Sequence, residues 1–266
     1  MISYTYPLRA LFAIFFIAAC ALSTGARAQF GSNISAKSVV TTEQVRAELM
    51  AHAPQGVVAD ANVAAGNRVW VGLQLAHKPQ WHTYWKNSGD SGQPTQLQWT
   101  LPAGVTAGDI AWPLPKKIPI GTLANYGFEG TVLLPVPLTI TPAFKAPLLS
   151  GDIEVKLKAA WLVCKRECIP EEGEFALKIP VKGSTALNAS AFQAALDAQP
   201  KAVAGAAGAT PGSSVTIDGT AIKLKVAGLP AALQGKTLEV FPETPEVIET
   251  AAVPAQSWQG AVWNAT

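Results

Sequence analysis

Cys164 and Cys168 stand four residues apart between two strand-like runs, and this spacing constrains the chain more than any other feature. Upstream, Ile153, Val155, Leu157, Ala159, Trp161 and Val163 share one face of a period-two pattern, with Lys156 and Lys158 on the other. Such alternation is the mark of a half-buried β-strand. Downstream, Ile169-Pro170 leads into a second run, Glu174–Ile179. In an extended chain the two Cα atoms would lie roughly 13 Å apart, whereas a disulfide needs about 4.4–6.8 Å. Bridging the cysteines therefore requires Lys165-Arg166-Glu167 to turn, which places them opposite each other at the mouth of a hairpin. Three consecutive charged residues put the tip in solvent.

The rest of the chain reads as β-structure punctuated by turns. Alternating or β-rich runs occur at Val45–Ala51, Arg68–Ala76, Gln96–Thr100, Asp109–Trp112 and Thr131–Ile140. Pro and Gly interrupt them at Gly92, Pro94, Pro102, Gly104, Pro113, Pro115, Pro119 and Pro147. Many short strands with regular turn signals predict an all-β, antiparallel sandwich. One short helix is expected at Ser190–Ala198, with Ser190 as N-cap. An Ala/Gly-rich stretch from Ala202 to Ser214 then reads as a linker. Beyond it, Val215 and Ile217, the turn Asp218-Gly219, and Ile222, Leu224 and Val226 predict a hairpin. Leu238, Val240 and Phe241 predict a further strand.

The N-terminus sets the compartment. Arg9, the apolar run Ala10–Leu22 and the Ala26-Arg27-Ala28 motif form a secretory signal peptide over residues 1–28. That apolar run falls short of the ~20 residues of a membrane span. The bacterial periplasm is the expected location. Residues 29–42 read as a flexible leader, 43–182 as the main domain, 183–213 as helix and linker, and 214–266 as an incomplete second β module in a truncated chain. A net charge of +2 without a basic run excludes nucleic-acid binding as an expectation.

With Cys20 in the signal, Cys164 and Cys168 are the cysteines left in an oxidising compartment. The spacing leaves a structural staple and a redox pair both open. Closing so short a loop stabilises by only about 2 kcal/mol, and a domain of this size has core enough without it. A zinc site would need two more ligands from the scattered His52, His77 and His82. Lys165 and Arg166 favour a thiolate, while Glu167, Glu171 and Glu172 oppose them.

The segment Trp81-His82-Thr83-Tyr84-Trp85-Lys86-Asn87-Ser88-Gly89-Asp90-Ser91-Gly92 is rich in aromatics beside a Gly-rich turn. It is followed, in order, by Trp112-Pro113-Leu114-Pro115, Asn125-Tyr126-Gly127-Phe128-Glu129-Gly130, Trp161-Leu162-Val163-Cys164 and Cys168-Ile169-Pro170-Glu171. Together, over about residues 43–182, these resemble the N-terminal periplasmic domain of the thiol:disulfide interchange protein DsbD family, especially its ScsB-like relatives. Residues Leu238–Pro242 look like the start of a second module of the longer relatives.

The resemblance implies an immunoglobulin-like sandwich with a redox-active pair at one edge and no cofactor or metal. It implies thiol–disulfide exchange with thioredoxin-fold periplasmic proteins, including cytochrome c biogenesis factors, and electrons arriving from a membrane-embedded domain. Cys164 and Cys168 would be catalytic, with Cys168 forming the mixed disulfide and Cys164 resolving it. An aromatic cap loop is implied over Gly121–Gly130, with Tyr126 or Phe128 as lid, and Tyr84 and Trp161 beside the site. DsbD itself has a longer cysteine spacing, so this chain sits nearer the C-x-x-x-C relatives, some of which serve other partners. The alternative is a non-enzymatic sandwich that binds a partner or glycan through Trp81, Tyr84 and Trp85 and keeps a purely structural disulfide.

Overall fold

The hairpin demanded by the cysteine spacing is the longest among the described residues. In the computed structural model, which describes residues 37–57, 68–147, 151–202 and 211–266, β10 (Asp152–Cys164) and β11 (Cys168–Pro180) pair antiparallel from Asp152↔Pro180 to Cys164↔Cys168. The apolar residues of β10 face inward at every second position, from Ile153 to Val163. β10–β11 belongs to a sheet ordered β11-β10-β4-β8-β7, with β4 at His82–Gly89, β8 at Leu123–Glu129 and β7 at Lys116–Ile120. In addition, β5 (Gln96–Thr100) pairs with the middle of β10.

A second sheet, ordered β1-β2-β3-β9-β6, packs across it. Its strands are β1 (Val39–Thr41), β2 (Val45–His52), β3 (Val69–His77), β9 (Thr131–Ile140) and β6 (Val105–Ala107). Leu49, Leu73, Leu75 and Leu134 of this sheet meet Trp85, Leu157, Trp161 and Phe175 of the other to form the core. All neighbouring strands within both sheets are antiparallel, so the fold is the all-β, immunoglobulin-like antiparallel sandwich expected. β9 is a continuous apolar run because both of its faces are covered. Leu134 enters the core, while Leu133 packs outward against Phe192 of α1 (Ala189–Asp197).

Several local expectations are corrected. Residues 39–41 of the expected leader form β1, a β-branched edge strand paired with β2. The signal peptide and most of the leader lie outside the described residues, as do residues 203–210 of the linker. Asp109–Trp112 is not a strand. It runs beside β9, where Gly108 and Ala111 donate their N–H groups to the carbonyls of Pro137 and Pro135 at 2.9 and 2.8 Å. Proline has no N–H to return, so no two-way ladder forms. The helix starts one residue early, and its N-cap is Asn188 rather than Ser190.

A third sheet, ordered β12-β13-β15-β14, holds β12 (Ser214–Asp218), β13 (Ala221–Val226), β15 (Val262–Ala265) and β14 (Gln256–Gln259). The β12–β13 turn is Gly219-Thr220 rather than Asp218-Gly219, with Gly219 at φ +60°. That conformation suits glycine at the first position of a tight hairpin turn. Leu238–Phe241 is not a strand either. The side-chain amide of Gln256 accepts from the Leu238 N–H at 2.8 Å and donates to its carbonyl at 3.2 Å, taking the place of a ladder. Phe241 then reaches the sandwich, edge-on to Tyr126 and Trp85 with centroids 5.1 and 6.5 Å away.

Candidate functional site

The cysteines close the β10–β11 hairpin as a disulfide, with Cα atoms 4.2 Å apart. Lys165, Arg166 and Glu167 make the turn, and Lys165 N–H donates to the Glu167 carbonyl at 3.0 Å. The two sulfurs differ in access. Cys164 is buried, 3% exposed, while Cys168 is exposed. The strand order explains the difference: β10 lies inside the sheet with β4 as its other neighbour, and β11 is the edge.

Register fixes which side chains surround the pair, because directly opposed residues share a sheet face. Cys164 is opposite His82, and His82 is opposite Glu129 on its other side. Tyr84, two residues along β4, shares that face. Its hydroxyl lies 3.7 Å from Cys168 Sγ. His82 and Tyr84 meet edge to face at 5.2 Å. Gly92 permits this packing. It sits at φ +97° against the Tyr84 ring, where any Cβ would overlap the ring atoms. Burial raises the pKa of the Tyr84 phenol, so it is a neutral hydrogen-bonding group beside the sulfur. Burial likewise lowers the pKa of His82, against a smaller upward pull from Glu129.

Tyr126 and Phe128 lie on the other face. The Gly121–Gly130 segment, expected as a cap loop, contains β8, and Phe128 is opposite Thr83 rather than His82. Both rings point into the core: Tyr126 against Trp85 and Phe241, and Phe128 stacked on Trp112 at 6.4 Å. Neither stands over the disulfide. Trp161 is also a core residue, 2% exposed. Its indole N–H donates to Glu171 Oε2 at 2.8 Å, and the same oxygen accepts from the Thr42 hydroxyl at 2.8 Å. Of the expected cap or docking residues, Tyr84 reaches a sulfur through its hydroxyl. What flanks the tip instead is an open groove lined by Gln80, Trp81, His82, Ile118, Pro119, Ile120, Glu129 and the Lys165–Glu167 turn. Sequence patterning missed it because β7 and the turn before β4 carry no alternation.

Tyr84 and Trp85 are both buried, so with Trp81 they form no exposed stacking platform. Among the described residues no group of three or more His, Cys, Asp or Glu side chains is placed to hold a metal. Also among them, no helix is long and apolar enough to cross a membrane.

The family described as thiol:disulfide interchange protein DsbD, N-terminal, matches residues 48–180. In the solved structures the chain is similar to the N-terminal periplasmic domain of ScsB from Proteus mirabilis. That likeness has a TM-score of 0.56 at 16% identity and covers 85% of this chain and 81% of that one. At that identity it speaks for the fold. No curated protein matches the chain.

Proposed function

The chain belongs to the family of the N-terminal domain of the thiol:disulfide interchange protein DsbD, and from that premise we propose that it relays reducing equivalents through Cys164 and Cys168 to thioredoxin-fold partners in the periplasm. The observation that carries this reading is the asymmetry of the pair. Exchange needs one sulfur open to a bulky partner and a second held close to displace it. Exposed Cys168, beside the Tyr84 hydroxyl, fits the first role, and buried Cys164 fits the second. In the reduced domain the Cys168 thiolate attacks a disulfide of the partner, and one partner sulfur leaves as a thiolate. Cys164 then attacks Cys168, the interprotein bond breaks, and the partner departs as a dithiol. Two electrons pass to the partner, and the domain returns to its disulfide. A membrane-embedded domain of the family would re-reduce it, and export would follow from the signal peptide over residues 1–28.

Trapping tests the assignment. A thioredoxin-fold partner lacking its resolving cysteine is mixed with each single-cysteine variant and run on a non-reducing gel. Cys164→Ser should accumulate a stable mixed disulfide through Cys168, and Cys168→Ser should trap little. The reverse order would exchange the two roles. No trapping by either variant, across several partners, would leave the disulfide as a staple and overturn the relay.

A further inference from the structure

His82 is a buried titratable group directly opposite Cys164 on the neighbouring strand, and the relay described above leaves it unused. It is 2% exposed. It stands on β4 between Cys164 on β10 and Glu129 on β8, and its Nε2 is buried without a hydrogen-bond partner. A buried polar atom without a partner is rare and costly, and it calls for a reason. The redox state of the neighbour supplies one. A disulfide has no hydrogen to donate, while a thiol does. Opposed residues on one sheet face bring their Cβ atoms to about 4.5–5.5 Å of each other, within reach for an imidazole and a thiol. The nitrogen that is orphaned beside the disulfide gains a donor when Cys164 is reduced.

We propose that His82 is the proton acceptor for the Cys164 thiol in the reduced domain. The inference rests on the relay reading of the pair. During resolution the Cys164 S–H proton passes to His82 Nε2, and the resulting thiolate attacks Cys168 Sγ. The Cys164–Cys168 bond forms and the bond from Cys168 to the partner breaks. The partner sulfur leaves as a thiolate and recovers the proton from the imidazolium, directly or through water. Electrons and protons balance without a further reagent. Burial disfavours the imidazolium and Glu129, opposite His82, favours it, while His77 at the end of β3 is itself held lower by the charge of His82. Tyr84 on the same strand is neutral, and Lys165, Arg166 and Glu167 at the tip share the groove with the ring.

The test needs no partner, so its failure is separable from a failure of trapping. In reduced Cys168→Ser protein, the ultraviolet absorbance of the Cys164 thiolate is followed against pH, with and without His82→Gln. Removing the imidazole should raise the thiol pKa by about one unit or more, a loss on the order of tenfold in thiolate at neutral pH. An unchanged profile would overturn the proposal. If His82→Gln does not fold, nuclear magnetic resonance titration of His82 in the intact chain decides. The ring should titrate at different pH in the disulfide and dithiol forms, and superimposable curves would overturn the proposal.

Discussion

His77 uses both ring nitrogens. Nδ1 meets the Gly130 carbonyl at 2.7 Å, and Nε2 meets the Thr83 hydroxyl at 3.0 Å. A carbonyl only accepts, so Nδ1 carries the hydrogen and the neutral ring takes a hydrogen bond from Thr83 at Nε2. Burial lowers its pKa, and it lowers that of His82 too. For a histidine whose folded pKa lies below the unfolded value, the unfolded chain binds more protons between the two. Stability is therefore complete above about pH 6.5 and falls as pH drops toward the folded values. The urea midpoint should decrease from pH 7.5 to pH 5, and His77→Gln should flatten that slope. An equally steep slope in the variant would remove His77 as its source. Gly92 makes a second residue-level case. Gly92→Ala must push the Tyr84 ring away and also adopt φ +97°, which together should cost about 2–3 kcal/mol. Displacing the ring should alter the rate at which dithiothreitol reduces the disulfide, and a variant of unchanged stability and rate would show that the contact is slack.

At the scale of elements, β10 and β11 are held by thirteen opposed pairs before the disulfide adds anything. Reducing the bond should cost only about 2 kcal/mol by loop entropy, a fall of several degrees in Tm with an unchanged far-ultraviolet spectrum. Loss of the hairpin on reduction would mean that the bond is the staple it could equally have been from spacing alone. The same hairpin shows what patterning reveals. Strands with one wet face, such as β2, β3 and β10, alternate and were legible. β4 and β8 were not, because His82–Trp85 and Ala124–Phe128 are buried without a break, and a strand covered on both faces has no period of two. The cysteine pair and Tyr84 were legible as a motif. The face on which Tyr126 and Phe128 lie was not, because a residue-by-residue reading gives no register and a shift of one residue exchanges the faces. His82 beside Cys164 was hidden for the same reason.

Over the whole molecule, the sandwich and the segment after the third-sheet hairpin share one core. Phe241 closes over Trp85 and Tyr126, the Asn87 amide donates to the Pro242 carbonyl at 2.8 Å, and Lys117 Nζ donates to the Ala252 carbonyl at 2.7 Å. Phe241→Ala should cost roughly 2 kcal/mol, less than a fully buried Phe→Ala because the ring is only half covered. It should also red-shift tryptophan emission by wetting Trp85. A variant with unchanged denaturation midpoint and emission would show that the contact contributes nothing.

Phe241 also imposes an order of events on a chain made from its N-terminus. All described strands of the sandwich have emerged by Pro180, yet the edge contacts of Phe241 on Trp85 and Tyr126 form only when residue 241 arrives. A nascent chain therefore passes through an interval in which its cysteines are already in place and its aromatic core still lacks the Phe241 ring. Stalled chains ending before and after residue 241 should differ in protease resistance, and only the longer should match the finished protein.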